Sequence, residues 1–256
     1  MKLLNDSLSA KREEEVSISE PVLSWTKGNL KVEVLYSSAG VGTSIVVETE
    51  KTGLLLDAGG GVLRDLIAHN QTMIRKISAI AFSHGHYDHM SGLWTLLGIS
   101  RMLNRVEKLI ILSPPNVIEI VLIIEAFKKA YSDTIPFEIE LIELKPSETF
   151  QLGDLTLEPF KVYHGGSTKK GVLPEIPAFG YQVKQLETTV SYSGDTCYFE
   201  ELKDYFEGVD LALVEATARK DESKVHLSEK EALKVAEKAK EVFLIHKVLQ
   251  KLIQKT

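Results

Sequence analysis

A single cysteine, Cys197, stands in 256 residues. That excludes an internal disulfide and any zinc cage built on thiolates, and it makes a reducing, cytoplasmic setting the natural expectation. Basic residues are in deficit too. Thirty Lys and Arg face 36 Asp and Glu, for a formal net charge of −6 and a sequence pI near 5.7. The surface as a whole therefore does not attract nucleic acid, and any phosphate-binding region must be a local cluster. Long apolar runs are missing as well. The richest, residues 117–127, is interrupted by Glu119 and Glu125 and is too short to cross a bilayer, so no membrane partner is expected. Met1-Lys2-Leu3-Leu4, followed by Asn5 and Asp6, lacks the apolar stretch of a signal peptide.

What is present is ordinary globular material, 44% hydrophobic and 26% charged. Residues 1–28 are polar without a sustained period and read as a flexible or loosely docked extension, leaving residues 29–256 as a single domain. Residues 31–36 alternate polar and apolar as a half-buried strand does, and residues 43–48 and 53–57 add two more strands. Residues 62–69 have helical spacing, and the β-branched run 77–82 leads directly into a cluster of histidines. A second helix is expected from about residue 88. Residues 108–112 read as a strand, and Pro114-Pro115 precede a helix over about 116–131. Further strands are expected at 137–144, 155–162, 178–184, 188–193, 211–215 and 242–245, with a surface helix over 228–240. Strands and helices interleave without regular βα alternation. This points to the α/β (α+β) class, with two sheets sandwiched between helix layers.

Three of seven histidines, His84, His86 and His89, fall within six residues, with Asp88 among them. Imidazole nitrogen and carboxylate oxygen suit zinc and other first-row divalent ions, and the segment lies where a strand turns into a helix. His84 and His86 could grip one ion while Asp88 and His89 serve a neighbour. The plain alternative is a solvated polar turn, but such turns rarely space their ligands so regularly. His164, Asp195 and His246 lie at or just after expected strand ends, where loops converge. Each alone is weak; with the cluster they complete a two-metal site.

The segment Ser83-His84-Gly85-His86-Tyr87-Asp88-His89 resembles the HxHxDH motif of the metallo-β-lactamase superfamily. Leu54-Leu55-Leu56-Asp57-Ala58-Gly59 resembles that family's first motif, His164 its third, Ser193-Gly194-Asp195-Thr196 its fourth and His246 its fifth, from about residue 31 to 247. The resemblance implies an αββα four-layer sandwich. It also implies two divalent metal ions per chain, zinc foremost, with manganese or iron compatible. His84, His86 and His164 would hold one ion and Asp88, His89 and His246 the other, with Asp195 bridging and Asp57 in support. Histidine at position 86, where diiron redox members carry an acid, favours hydrolysis.

Other segments resemble the ribonuclease Z branch: Ser37-Ser38-Ala39-Gly40-Val41, Pro177-Ala178-Phe179-Gly180-Tyr181 and Val214-Glu215-Ala216-Thr217. There a glutamate pairs with a downstream histidine near the leaving group, the places of Glu215 and His226. The implied reaction is attack of a metal-bound hydroxide on phosphorus, with Asp88, Glu215 and His226 in catalytic roles. The plain reading has Glu215 capping a strand and His226 capping a helix with Ser228. Val214 stands where the branch has histidine and Tyr87 where glycine is usual. No glycine- and proline-rich arm for gripping transfer RNA lies between His89 and His164. The expected substrate is thus a phosphodiester or other small hydrolysable molecule, with RNA compatible and a homodimer implied. The basic run Gly165-Gly166-Ser167-Thr168-Lys169-Lys170-Gly171 is a candidate phosphate contact, weighed evenly against a solvated loop. Hydrolysis of a carbonyl ester, thioester or lactone is the alternative activity, and a non-catalytic binding protein a third reading.

Overall fold

The alternating residues expected as the first strand lie in an antiparallel ribbon that opens the described part of the chain. In the computed structural model, which describes residues 23–168 and 171–249, this ribbon runs β1 (Leu23–Lys27), β2 (Leu30–Ser38), β3 (Gly42–Glu48) and β4 (Gly53–Leu56). Helices α1 (Val62–His69) and α2 (Met73–Lys76) then return the chain to β5 (Ile77–Ala81), parallel to β4. Helices α3 (Tyr87–Met90) and α4 (Leu93–Met102) lead to β6 (Leu109–Ser113), and α5 (Ile118–Ala130) to β7 (Ile139–Glu143). These seven strands form one sheet in chain order.

The second half supplies β8 (Phe150–Leu152), β9 (Leu155–Lys161), the hairpin β10 (His164–Thr168) and β11 (Gly171–Ile176), then β12 (Phe179–Gln185) and β13 (Thr188–Tyr192). A 3-10 helix (Glu200–Phe206), β14 (Leu211–Glu215), α6 (Glu229–Val235) and β15 (Glu241–Ile245) follow. The second sheet has six strands, ordered β15-β14-β13-β12-β9-β8, and its last three in sequence run parallel.

Period-two alternation explains the layers. Leu54 and Leu56 face the other sheet and pack with Leu157, Tyr181, Val190 and Leu213, while Leu55 faces the helices. A strand covered on both sides can be apolar at every position, as this one is. Burying each such leucine fully contributes about 1.5–3 kcal/mol. On the outer face of the first sheet Val46, Ile80 and Ile111 meet Leu66, Leu97 and Phe127; on that of the second, Ala212 and Val214 meet Leu202, Phe206 and Val235. The result is helix, sheet, sheet, helix: the expected αββα sandwich.

Three differences from the sequence expectation have physical causes. Residues 23–27, assigned to the extension, form β1 because their backbone pairs with β2 along its whole length, although only Trp25 of the five is buried. The run beginning at His164 is a hairpin rather than a loop, since backbone pairing does not require side chains that its glycines lack; Lys169 and Lys170 lie outside the described residues. The helix expected over 228–240 is the shorter α6. Ser228 caps it in a reciprocal box with Glu231, and turns take over after Ala236 to feed β15. Among the described residues, no helix is long and apolar enough to cross a membrane.

Candidate metal centre

The residues following β5, β13, β14 and β15 meet at one edge of the sandwich. Asp57, just past β4, fixes the geometry there. Fully buried, it accepts hydrogen bonds from the Ser83 backbone (2.7 Å), Ser83 Oγ (2.8 Å) and Tyr192 Oη (2.7 Å), and faces His89 Nδ1 at 2.8 Å. Its backbone is left-handed (φ 57°), a conformation that costs a non-glycine residue on the order of 1 kcal/mol and persists only where the surroundings over-determine it.

His84, His89, His164 and His246 are each anchored through Nδ1 and turn Nε2 inward, the arrangement that orients imidazole ligands. Ser83 Oγ spends its only proton on Asp57, so at 2.9 Å it must accept from His84 Nδ1; this leaves His84 Nε2 a lone pair, buried and without a partner. His164 Nδ1 donates to the Val225 carbonyl at 2.8 Å, and its Nε2 comes within 3.1 Å of His86 Nδ1. His89 Nε2 lies 3.1 Å from His246 Nε2 and 3.4 Å from Asp195 Oδ2. His246, also left-handed (φ 54°), is steadied by Thr217 Oγ1, 2.9 Å from Nδ1, and approaches Asp88 Oδ2 at 3.4 Å.

Asp195 occupies the middle. Its side chain is 3.4–3.9 Å from His89, His164, His226 and His246, yet Oδ1 has no hydrogen bond. The turn that delivers it requires Gly194, whose φ is +57° and whose added Cβ would lie 2.5 Å from the Phe179 carbonyl.

Burial, followed by the charge of neighbouring imidazoles, pushes His84 well below its usual range; burial also lowers His86, and it takes His164 to about 4. Neutral rings are the form that binds cations. For His89, burial is outweighed by Asp195 and Asp57, which raise it well above the ordinary value. A cation at that nitrogen would compete with the proton. Burial likewise opposes ionisation of Asp88, but the His246 hydrogen bond and the charge of His89 bring it to about 2; Asp195 is held well below the carboxylate range by His246 and His89 against its own burial.

The residues therefore fit divalent cations. Donor atoms lie within 4.8 Å of one another in the sets His84-His86-His164, Asp88-His89-His246 and His84-His89-Asp195. Unpartnered buried acceptors at His84 Nε2 and Asp195 Oδ1 are costly unless a positive charge faces them.

Beside this cluster, His226 Nδ1 is 2.9 Å from Glu215 Oε1. Fully buried at the end of β14, Glu215 also accepts from the backbone N–H groups of Thr196, Leu227 and Thr217 at 3.0, 3.2 and 3.0 Å. Its structural and site-directed readings thus hold together, since one carboxylate ties the loop after β13 to both ends of the loop between β14 and α6 and orients the imidazole. Burial opposes a charge on His226, but Glu215, aided by Asp195, raises it to about 9.

The seven ligand candidates, their support Asp57, and Glu215 and His226 all meet here, so six of the seven histidines share one site and His69 lies apart, in the last turn of α1. Sequence reasoning missed Tyr192, Thr217 and the role of Ser83. Each acts across the fold; their only signal is adjacency to motif residues.

A family profile described as the beta-lactamase superfamily domain matches residues 52–246, and the chain belongs to that superfamily. Among its relatives, ribonuclease Z of Clostridium kluyveri is 31% identical over 143 residues, 55% of this chain and 42% of that protein. Ribonuclease Z of Ignicoccus hospitalis is 26% identical over 242 residues, 78% of this chain and 79% of the relative. The chain spans less than half the length of the first curated relatives it matches. In fold it is similar to the short form of human tRNase Z, with a TM-score of 0.71 at 19% identity over 86% of this chain and 93% of the other. YhfI of Bacillus subtilis, a metallo-beta-lactamase fold protein, gives 0.69 at 23% identity over 86% and 88%.

Proposed function

We propose that this protein is a metal-dependent phosphodiesterase, a ribonuclease Z-like nuclease whose site holds two divalent cations, zinc in the first place. His84, His86 and His164 would take one, Asp88, His89 and His246 the other, with Asp195 between them. Bound there, such cations supply Lewis acidity toward phosphoryl oxygens and an activated water. The observation that carries the reading is the Glu215–His226 pair beside the donor cluster. Glu215 occupies His226 Nδ1, so the transferable proton of the imidazolium sits on Nε2. As oxygen attacks phosphorus and the opposite P–O bond breaks, that proton passes to the departing oxygen. Glu215 keeps the ring charged and aimed.

Similarity to the ribonuclease Z sequences supports RNA as the substrate class. The test is turnover of bis-p-nitrophenyl phosphate and a short RNA by cation-loaded protein. Both are expected to be cleaved, and His226→Ala to lower kcat by about 10²–10³-fold at unchanged cation stoichiometry. Lactone or thioester opening with phosphodiesters left intact would replace this reading by carbonyl hydrolysis.

A further inference from the structure

Tyr87, in the middle of the histidine motif, is 62% exposed, yet its hydroxyl is committed: it donates to the Gly40 carbonyl at 2.7 Å. The N–H of the same residue, on the preceding peptide unit, donates to Asp88 Oδ2, also at 2.7 Å. Gly40 lies in the β2–β3 turn with φ +69°, and a Cβ there would come within 3.4 Å of the tyrosine oxygen. The turn is anchored from its other side as well. Ser37 Oγ accepts from the His246 backbone N–H, and Ala39 N–H and Ser38 Oγ both donate to the Lys247 carbonyl.

The end of β2 and the turn after it therefore touch both ends of the Asp88-His89-His246 set and, among the described residues, make no such contact with His84, His86 or His164. We propose that Tyr87 is a positioning residue for that set alone: by holding Gly40, it aims the Gly40 N–H at Asp88 and fixes which carboxylate oxygen faces His246. The hydrogen bond occupies one lone pair of Oδ2 and orients the carboxylate, as supporting groups around ligating carboxylates do. The aromatic ring is not used; the hydroxyl is. This inference rests on the cation reading above.

The test is calorimetric titration of chelator-treated protein with Zn²⁺, repeated with Co²⁺ to follow its visible spectrum, for wild type, Tyr87→Phe and Tyr87→Gly. His84→Ala identifies which binding step belongs to the other set. Supporting groups typically change affinity by about 10–100-fold when removed, and Tyr87 acts through one intermediary. Tyr87→Phe is therefore expected to weaken the Asp88-set step by about threefold to tenfold, change the cobalt spectrum of that step, and leave the other step and the melting temperature of the cation-free chain unchanged. Tyr87→Gly should match Tyr87→Phe. Equal affinities in wild type and Tyr87→Phe overturn the proposal, as does equal weakening of both steps, or loss confined to Tyr87→Gly. Wild type that binds no second cation overturns it together with the two-cation reading, and that failure is visible before any variant is made.

Discussion

The two ends of the second sheet carry buried carboxylates of equal exposure and opposite fate. Asp210, immediately before β14, and Asp195, just after β13, are both 3% exposed. At the first end Asp210 Oδ1 pairs with Lys27 and Lys240, and Oδ2 accepts from the Thr189 N–H at 3.0 Å. Burial resists its charge, yet the lysines bring it to about 2. At the other end Asp195 is held low among imidazoles and keeps an oxygen with no donor. A lowered pKa therefore does not separate function from structure in this chain. What separates these two carboxylates is the open acceptor of Asp195 among imidazoles, which Asp210 lacks.

The contrast is broken most severely at the open end. Asp195→Ala removes the carboxylate that stands between the two donor sets; phosphodiester turnover should fall by about 10³-fold or more and bound cation per chain should drop, measured by kinetics and elemental analysis. Retained turnover with full cation content would erase the difference between the two ends.

A proton-linked measurement sharpens it. His226 in the folded chain is raised to about 9 from an ordinary 6.5. Its stabilisation is therefore fully present below about pH 6.5 and is lost as pH rises through about 9. For cation-free protein, denaturation should show wild type exceeding His226→Gln by up to about 3 kcal/mol more at pH 6 than at pH 10. A pH-independent difference would mean that Glu215 does not hold an imidazolium.

The smallest effect belongs to the closed end. Asp210→Asn should cost about 1–2 kcal/mol of stability, because Lys27 and Lys240 are largely exposed and solvent screens their pairing. Turnover below the melting temperature should be untouched. Loss of activity in the folded variant would show that the two ends communicate.

The parts legible in the sequence are those whose pattern is local. Val62–His69 has the boundaries its periodicity predicts, and β2, β3 and β14 follow from alternation or from an apolar run. The ligand candidates were legible because His84, His86, Asp88 and His89 are crowded into one turn. By contrast, Leu23–Lys27 buries a single side chain and Phe150–Leu152 has three residues, so neither leaves a periodic trace. Their strands exist through backbone pairing with neighbours. Tyr192 was invisible as a support because its role is a hydroxyl directed at Asp57, 135 positions away. Nothing in a β-strand pattern tells a core tyrosine from one that steadies a site.

The joint between the β2–β3 ribbon and the last strand has a kinetic meaning. Ser37 and Ser38 hold His246 and Lys247 across 209 positions of chain. Closing so long a loop is slow compared with forming the ribbon or the histidine turn. That separation predicts that, during refolding, an early turn presents His84, His86 and His89 before His246 reaches them. Tight cation capture should then coincide with the final phase of refolding, and chelator resistance should appear only when the two sheets have locked together.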